Sequence, residues 1–208
     1  MKANQLKIAI QNSGRLKEDS LKYLQALGLQ LGEANHRALI LPCRNAAIEI
    51  LYVRHIDIPQ YVQGGAADFG IAGENVIFEN DPKVQVVRKL GFGQCSLVIA
   101  VPKNSAIKDS KDLEGERIAT AYPRSLRKFL KQSRINASVV EIRGSAEIST
   151  SLNLADAICD LTQTGNTLRE NGLVPIETIL KSEAVLIVNP LIDKEQYTYF
   201  ETFLKDRP

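Results

Sequence analysis

Apolar and polar positions along the chain change their spacing in a regular order. Residues 6–10 are a short apolar run, and 16–27 carry Leu21, Leu24 and Leu27 at helical spacing before Gly28. That pattern predicts a strand, a polar turn at 11–15 and a helix. Residues 37–41 and 47–53 predict two strands about a turn at 42–45. Asp57 is the expected N-cap of a helix at 58–63, with Pro59 tolerated in its first turn and Gly64-Gly65 as its stop. A short buried strand at 68–73 leaves through the polar pair Glu74-Asn75, and 84–90 and 95–101 predict strands joined through Gly91 and Gly93. Residues 102–115 are polar and lysine-rich and read as a crossover into a second lobe. Beyond them, 117–121, 138–142, 155–161 and 183–188 predict strands, and 123–133, 146–152 and 193–204 predict helices.

One pattern occurs twice. A helix, the small-residue lead-in Ala67-Asp68 and the strand FGIAG correspond to a helix, Ala155-Asp156 and the strand AICDL. The expectation is two half-similar α/β lobes facing one another across a cleft that takes loops from both. Ligands of open α/β sheets bind at the carboxyl ends of strands. No period of 20–50 residues marks a solenoid.

Composition narrows the function classes. With 44% apolar and 24% charged residues in 208, the chain can bury a sizeable core. A formal charge of +2 is too mild to imply nucleic-acid binding, so any basic groups that matter should be local. Cys43, Cys95 and Cys159 are odd in number, widely spaced and without CxxC, which reads as free thiols in a reducing cytoplasm. The N-terminus has no signal-peptide pattern, and no apolar stretch approaches membrane-spanning length.

The densest candidate chemistry lies at 160–168, DLTQTGNTL. A strand ends on Asp160, and Thr162, Thr164, Gly165, Asn166 and Thr167 follow before a short helix begins. Main-chain N–H groups at a helix start, with hydroxyls beside them, can cradle a phosphate, and Asp160 could reach the attached sugar. An ordinary strand-to-helix turn with Thr164 as N-cap is the alternative. Arg15, Arg37 and Arg54 stand at strand–loop junctions, where guanidinium forks suit polyphosphate, or where they are simply solvated. Glu147, with Asp160, is either a hydroxyl acceptor or a water-mediated Mg²⁺ contact, or it is a carboxylate favoured in the first turn of a helix. His36 and His55 show no metal-ligand spacing, and GxGxxG and GxxxxGK[ST] are both absent.

Four stretches together resemble the ATP phosphoribosyltransferase family of histidine biosynthesis: IAIQNSGRL (8–16), DFGIAGENV (68–76), RIATAYP (117–123) and 147–168. The last is similar to the family signature E-x5-G-x-[SAG]-x2-[IV]-x-D-[LIV]-x2-[ST]-G-x-T-[LM]. Two positions depart from the family pattern: Asn153 stands at the signature glycine, and Asn12 where many longer relatives carry lysine. Asn tolerates the left-handed backbone better than most residues, so the turn at 153 is expected to keep its geometry.

The resemblance implies a periplasmic-binding-protein-like fold whose chain crosses twice between lobes, with 1–98 and 183–208 in one lobe and 99–182 in the other. It implies transfer of phosphoribosyl from phosphoribosyl pyrophosphate to N1 of ATP, with Mg²⁺ held through substrate phosphates and no dedicated protein ligand. By the same resemblance Arg15 and Arg37 act on the pyrophosphate. Glu147 and Asp160 hold ribose hydroxyls; Thr162, Thr164, Gly165, Asn166 and Thr167 cradle the 5-phosphate; Gly14, Arg54 and Asp68 lie on the ATP side. The implied assembly is a cytoplasmic short-form catalytic subunit, homodimeric and joined to a histidyl-tRNA-synthetase-like regulatory partner, with a truncated long form as the alternative. A solute-binding protein of the same architecture and an inactive relative are the competing classes. The missing signal peptide speaks against the first, and Arg15, Arg37, Glu147 and Asp160 together speak against the second.

Overall fold

The computed structural model describes residues 5–32 and 38–205. They form two compact units, 1–93 with 183–208 and 94–182, so the chain passes between units twice.

Unit 1 is built on β1 (Leu6–Gln11), β2 (Ile40–Pro42), β3 (Ile48–Val53), β4 (Phe69–Gly73), β5 (Gln85–Lys89) and β11 (Ala184–Val188). Their order is β2-β3-β1-β4-β11-β5, with β3, β1 and β4 mutually parallel. Both faces of the central strands are covered, which is why they read as nearly unbroken apolar runs. Ile8, Ile10, Ile48, Ile50, Phe69 and Ile71 point to one face, where Leu24 of α1 (Arg15–Ala26) and Phe200 of α7 (Lys194–Lys205) pack. Ala9, Leu51 and Ala72 point to the other, against Ile58 and Val62 of α2 (Ile58–Gln63). Gly70 permits that approach: a Cβ there would stand 2.8 Å from Ile58 Cγ2 and 2.9 Å from Val62 Cγ2.

Unit 2 carries β6 (Cys95–Pro102), β7 (Arg117–Thr120), β8 (Ser138–Glu141), β9 (Ala157–Thr162) and β10 (Leu173–Ser182) in the order β10-β6-β9-β7-β8. Here β8, β7 and β9 are parallel, with α4 (Pro123–Ser133) on one face. The short α5 (Ile148–Ser151) and α6 (Asn166–Glu170) lie at the same strand ends as the loops of interest. In each unit the first strand has the second and third parallel strands on opposite sides.

Several local expectations change. Residues 102–115 are not a crossover; they lie within unit 2, where Lys103 N–H donates to Gly172 O at 3.0 Å and Asp109 with Asp112 forms a capping box. The first passage falls at Gly93–Gln94 instead, beside Gly91 and Gly93, whose φ values of 71° and 67° suit glycine. Asp57 is not a side-chain cap: it is helical at φ −91°, ψ −17°, because a 3₁₀ turn at His55–Asp57 already leads into α2. The polar exit Glu74-Asn75 begins a helix, α3 (Glu74–Asn80). The expected helix at 146–152 is a single turn. The ten-residue β10 is absent from the expectation: Pro175 and two register irregularities break its alternation, and it is an edge strand, the place where proline is tolerated.

Candidate functional site

In unit 2, the parallel strands deliver three loops to one edge. Ala121-Tyr122 follows β7, residues 142–147 follow β8, and Gln163–Gly165 follows β9. Thr120 pins this edge. Its Oγ1 donates to Cys159 O at 2.7 Å and accepts from Tyr122 N–H at 2.9 Å, tying β9 to β7 one residue before Asp160. Sequence reading passed over Thr120 and Tyr122; the signal was the strand–loop–helix pattern that closes on Pro123 at the first turn of α4.

Asp160 is mostly withdrawn from water. Burial raises its pKa to about 6; Leu161 N–H, donating to Oδ1 at 2.7 Å, opposes the rise, and the negative charge of Glu147 adds to it. Glu147 stands at the N-cap position of α5, with φ −58° and ψ −33°, and its carbonyl accepts Thr150 Oγ1–H at 3.4 Å. The fold thus brings Glu147 and Asp160 into one electrostatic neighbourhood. A like charge nearby disfavours ionisation of the half-buried Asp160, in the same direction as its burial.

The loop after β9 is tied by its own hydroxyls. Gly165 N–H donates to Thr162 Oγ1 at 2.9 Å and Asn166 N–H to Thr164 Oγ1 at 3.4 Å. A hydroxyl that accepts one hydrogen bond keeps its proton to donate. The N-cap position of α6 is held by Gly165, at φ 73°, with no side chain of its own, and Thr164 reaches the first helical N–H from one position earlier, so the expected turn with Thr164 as N-cap does not form. The main-chain N–H of Arg169 begins the helical bonding, donating to Gly165 O at 3.1 Å, which leaves the N–H of Thr167 and Leu168 without an acceptor inside the helix. Arg169 also donates to Asn166 Oδ1, and Asn171 Nδ2 donates to Thr167 O at 2.9 Å.

The opposite end of β9 is equally organised. Asn153, where glycine was expected, takes φ +57°. Arg117 donates from Nη1 to Asn153 O at 3.0 Å, and from Nε and Nη2 to the Asp156 carboxylate at 2.9 and 2.8 Å. The guanidinium holds the Asp156 pKa down to about 2.

In unit 1, Gly14, Arg15 and Arg54 share the carboxyl-terminal ends of β1 and β3, where Gln11 pairs with Val53 and Asn12 N–H donates to Val53 O at 2.9 Å. Gly14 has φ 78° and is the N-cap residue of α1; Arg15 opens that helix and is exposed. Lys17 Nζ stands 4.4 Å above the Tyr52 ring, a cation at this end that sequence reading missed. Arg37 and His36 lie outside the described residues.

Asp68 is not with the other ATP-side residues. Its carboxylate accepts Lys7 N–H at 2.7 Å and its own N–H donates to Lys7 O at 2.9 Å, at the amino-terminal end of β1 and β4. Four residues of strand, about 13 Å, separate Lys7 from Gln11. Asp156 makes the matching pair with Arg117 in unit 2, at 2.9 and 2.8 Å. The repeated Ala-Asp lead-in is therefore a strand-register device in both units.

Among the described residues, no group of three or more His, Cys, Asp or Glu is placed to hold a metal ion, and no helix is long and apolar enough to cross a membrane. The cysteines are free thiols.

A family model described as ATP phosphoribosyltransferase matches residues 54–206. The chain is 44% identical over 191 residues to the ATP phosphoribosyltransferase of Cytophaga hutchinsonii, covering 92% of this chain and 66% of the relative. It is 39% identical to that of Methanosarcina barkeri, covering 96% and 70%. The chain thus spans about two thirds of the length of these curated relatives. Among solved structures it is similar to the ATP phosphoribosyl transferase (HisG:HisZ) complex from Thermotoga maritima, with 27% identity, a TM-score of 0.81 and 97% of each chain covered. The alkanesulfonate-binding protein SsuA from Xanthomonas axonopodis shares the fold, at 15% identity and a TM-score of 0.62, over 99% of this chain and 71% of that one.

Proposed function

This chain belongs to the ATP phosphoribosyltransferase family, and we propose that it transfers phosphoribosyl from phosphoribosyl pyrophosphate to N1 of ATP, releasing pyrophosphate. The observation that carries the reading is the half-buried Asp160, with the charge of Glu147 nearby, at the start of a hydroxyl-rich loop. The pair of carboxylates accepts ribose hydroxyls, and the negative charge there offsets the positive charge that grows on the sugar as pyrophosphate departs. Thr162, Thr164, Gly165, Asn166 and Thr167 hold the 5-phosphate through hydroxyl and main-chain donors. The lone pair of N1 forms the new bond to C1 as the C1–O bond breaks, and its electrons leave on the pyrophosphate oxygen. No protein nucleophile is required, so positioning and charge stabilisation carry the rate.

Arg15 and Arg37 receive the leaving pyrophosphate, and Gly14 and Arg54 serve ATP. Mg²⁺ carried on the substrate phosphates supplies further charge neutralisation. Glu147 and Asp160 are too few donors for an all-protein cage, which suits a cation that arrives with substrate. The two lobes are proposed to divide the work: 1–93 and 183–208 for ATP, 94–182 for the phosphoribosyl donor. The HisG:HisZ complex of Thermotoga maritima supports a second proposal, that this chain is a catalytic subunit working with a separate partner chain. It would dimerise and assemble with a histidyl-tRNA-synthetase-like regulatory partner.

The test is incubation of the purified chain with ATP, Mg²⁺, phosphoribosyl pyrophosphate and pyrophosphatase, following the ultraviolet absorbance of N1-substituted adenine. The expected result is a time-dependent rise that needs both substrates. No rise, with or without the synthetase-like partner, overturns the activity.

A further inference from the structure

Arg117 and the 153–156 turn are joined by five hydrogen bonds: Arg117 N–H, Nε–H and Nη2–H to the Asp156 carboxylate, Nη1–H to Asn153 O, and Asp156 N–H to Arg117 O. Both side chains remain partly in water, at 44% and 31% exposure. Exposed ion pairs contribute little to global stability. Their geometry, however, is specific: a rigid planar fork spans two different acceptors, which a lysine ammonium does not reproduce. The matching position in unit 1 is simpler. Lys7 meets Asp68 through its main-chain N–H and C=O.

The fork acts where β9 starts. Its turn contains Asn153 at φ +57°, a left-handed conformation that asparagine tolerates better than most residues. Capture of Asn153 O fixes that turn, and capture of Asp156 sets the register Ile118 with Ala157, Ala119 with Ile158 and Thr120 with Cys159. The next residue along β9 is Asp160. Thr120 Oγ1, on Cys159 O at 2.7 Å, fixes the far end of the same pairing.

We propose that Arg117 is a positioning residue for phosphoribosyl pyrophosphate: its fork on Asp156 and Asn153 sets β9 and thereby aims Asp160 and the loop at 162–167. The inference rests on the proposed use of Asp160 for the substrate ribose. Arg117 itself touches no substrate.

Binding of phosphoribosyl pyrophosphate with Mg²⁺, and separately of ATP, is measured by titration calorimetry on the full chain, as wild type, Arg117→Ala and Arg117→Lys, alongside Tm. Arg117→Ala should raise the Kd for phosphoribosyl pyrophosphate about 10-fold, since small misplacements of a binding constellation are strongly felt. Arg117→Lys, which keeps the charge, should fall between the two. The Kd for ATP should stay within about two-fold, as expected of an uncoupled site. A merely structural role would reduce the fraction of protein that binds and leave the Kd of the folded fraction unchanged. The proposal is overturned if Arg117→Lys and Arg117→Ala bind phosphoribosyl pyrophosphate like the wild type, or if both ligands weaken together. If Arg117→Ala does not fold, Arg117→Lys decides. A wild-type chain that binds no phosphoribosyl pyrophosphate sinks the proposed function, and this inference with it.

Discussion

Two aspartates four positions apart, one just before strand β9 and one within it, live under opposite conditions. Asp156, at its start, lies against the Arg117 guanidinium, and its pKa is held down to about 2. Asp160, near its end, is half-buried with the charge of Glu147 nearby, and desolvation pushes its pKa up to about 6. One charge is answered by a guanidinium, and the other, among the described residues, accepts a main-chain N–H from Leu161. A carboxylate satisfied by its own protein organises structure. A carboxylate that the fold desolvates and leaves under-compensated is a group awaiting a ligand.

The largest separation between the two comes from neutralising each in turn. Asp160→Asn should lower kcat/KM for phosphoribosyl pyrophosphate by about 100-fold, the loss of one or two charge-assisted hydrogen bonds. The same variant should be more stable than the wild type at pH 8, because the folded state no longer holds a desolvated charge. Thermal denaturation and steady-state kinetics on one preparation check both. A loss of stability with unchanged kinetics would make Asp160 structural and erase the contrast. In unit 1, Arg15→Ala should reduce turnover by more than ten-fold while ATP binding changes little, as expected for a group that acts on the departing pyrophosphate. If ATP binding weakens and turnover holds, Arg15 belongs to the ATP site instead.

The pH dependence of folding should carry both signatures with opposite sign. Asp160 titrates at about 6 when folded, against an ordinary value of 3.8. Between those limits the folded state binds more proton than the unfolded one, so this group's contribution is full below about pH 4 and is lost as pH rises through 6, at most about 3 kcal/mol. Asp156, depressed to about 2, contributes stability above its ordinary value of 3.8 that disappears as pH falls toward 2. Urea denaturation from pH 3 to 8 should show the Asp160 part vanish in Asp160→Asn and survive in Asp156→Asn. The smallest effect belongs to the turn. Asn153→Gly should change stability by less than about 0.5 kcal/mol, because glycine accepts φ +57° and Arg117 holds a main-chain oxygen, whereas Asn153→Ala should cost about 1 kcal/mol.

The central strands were legible in the sequence because sheets covered on both faces leave continuous apolar runs, as in LKIAI and FGIAG. The loop after Asp160 was legible because small hydroxyl residues and glycine crowd one strand end. β10 was not, since Pro175 and two irregularities interrupt its period. The place of Asp68 was not either. Periodicity reveals a strand but does not say which of its ends faces a ligand, and the Ala-Asp lead-in that marks Asp68 is shared with Asp156, a register device. Nor could sequence reveal Arg117, whose partners lie 36 and 39 residues away.

Titration calorimetry of phosphoribosyl pyrophosphate, with Mg²⁺ at pH 8, into the wild type, Asp160→Asn and Asp156→Asn tests the contrast along β9 most directly. The account predicts saturable binding in the wild type, weakened about 100-fold in Asp160→Asn and about 10-fold in Asp156→Asn. Wild-type affinity in Asp160→Asn would contradict it.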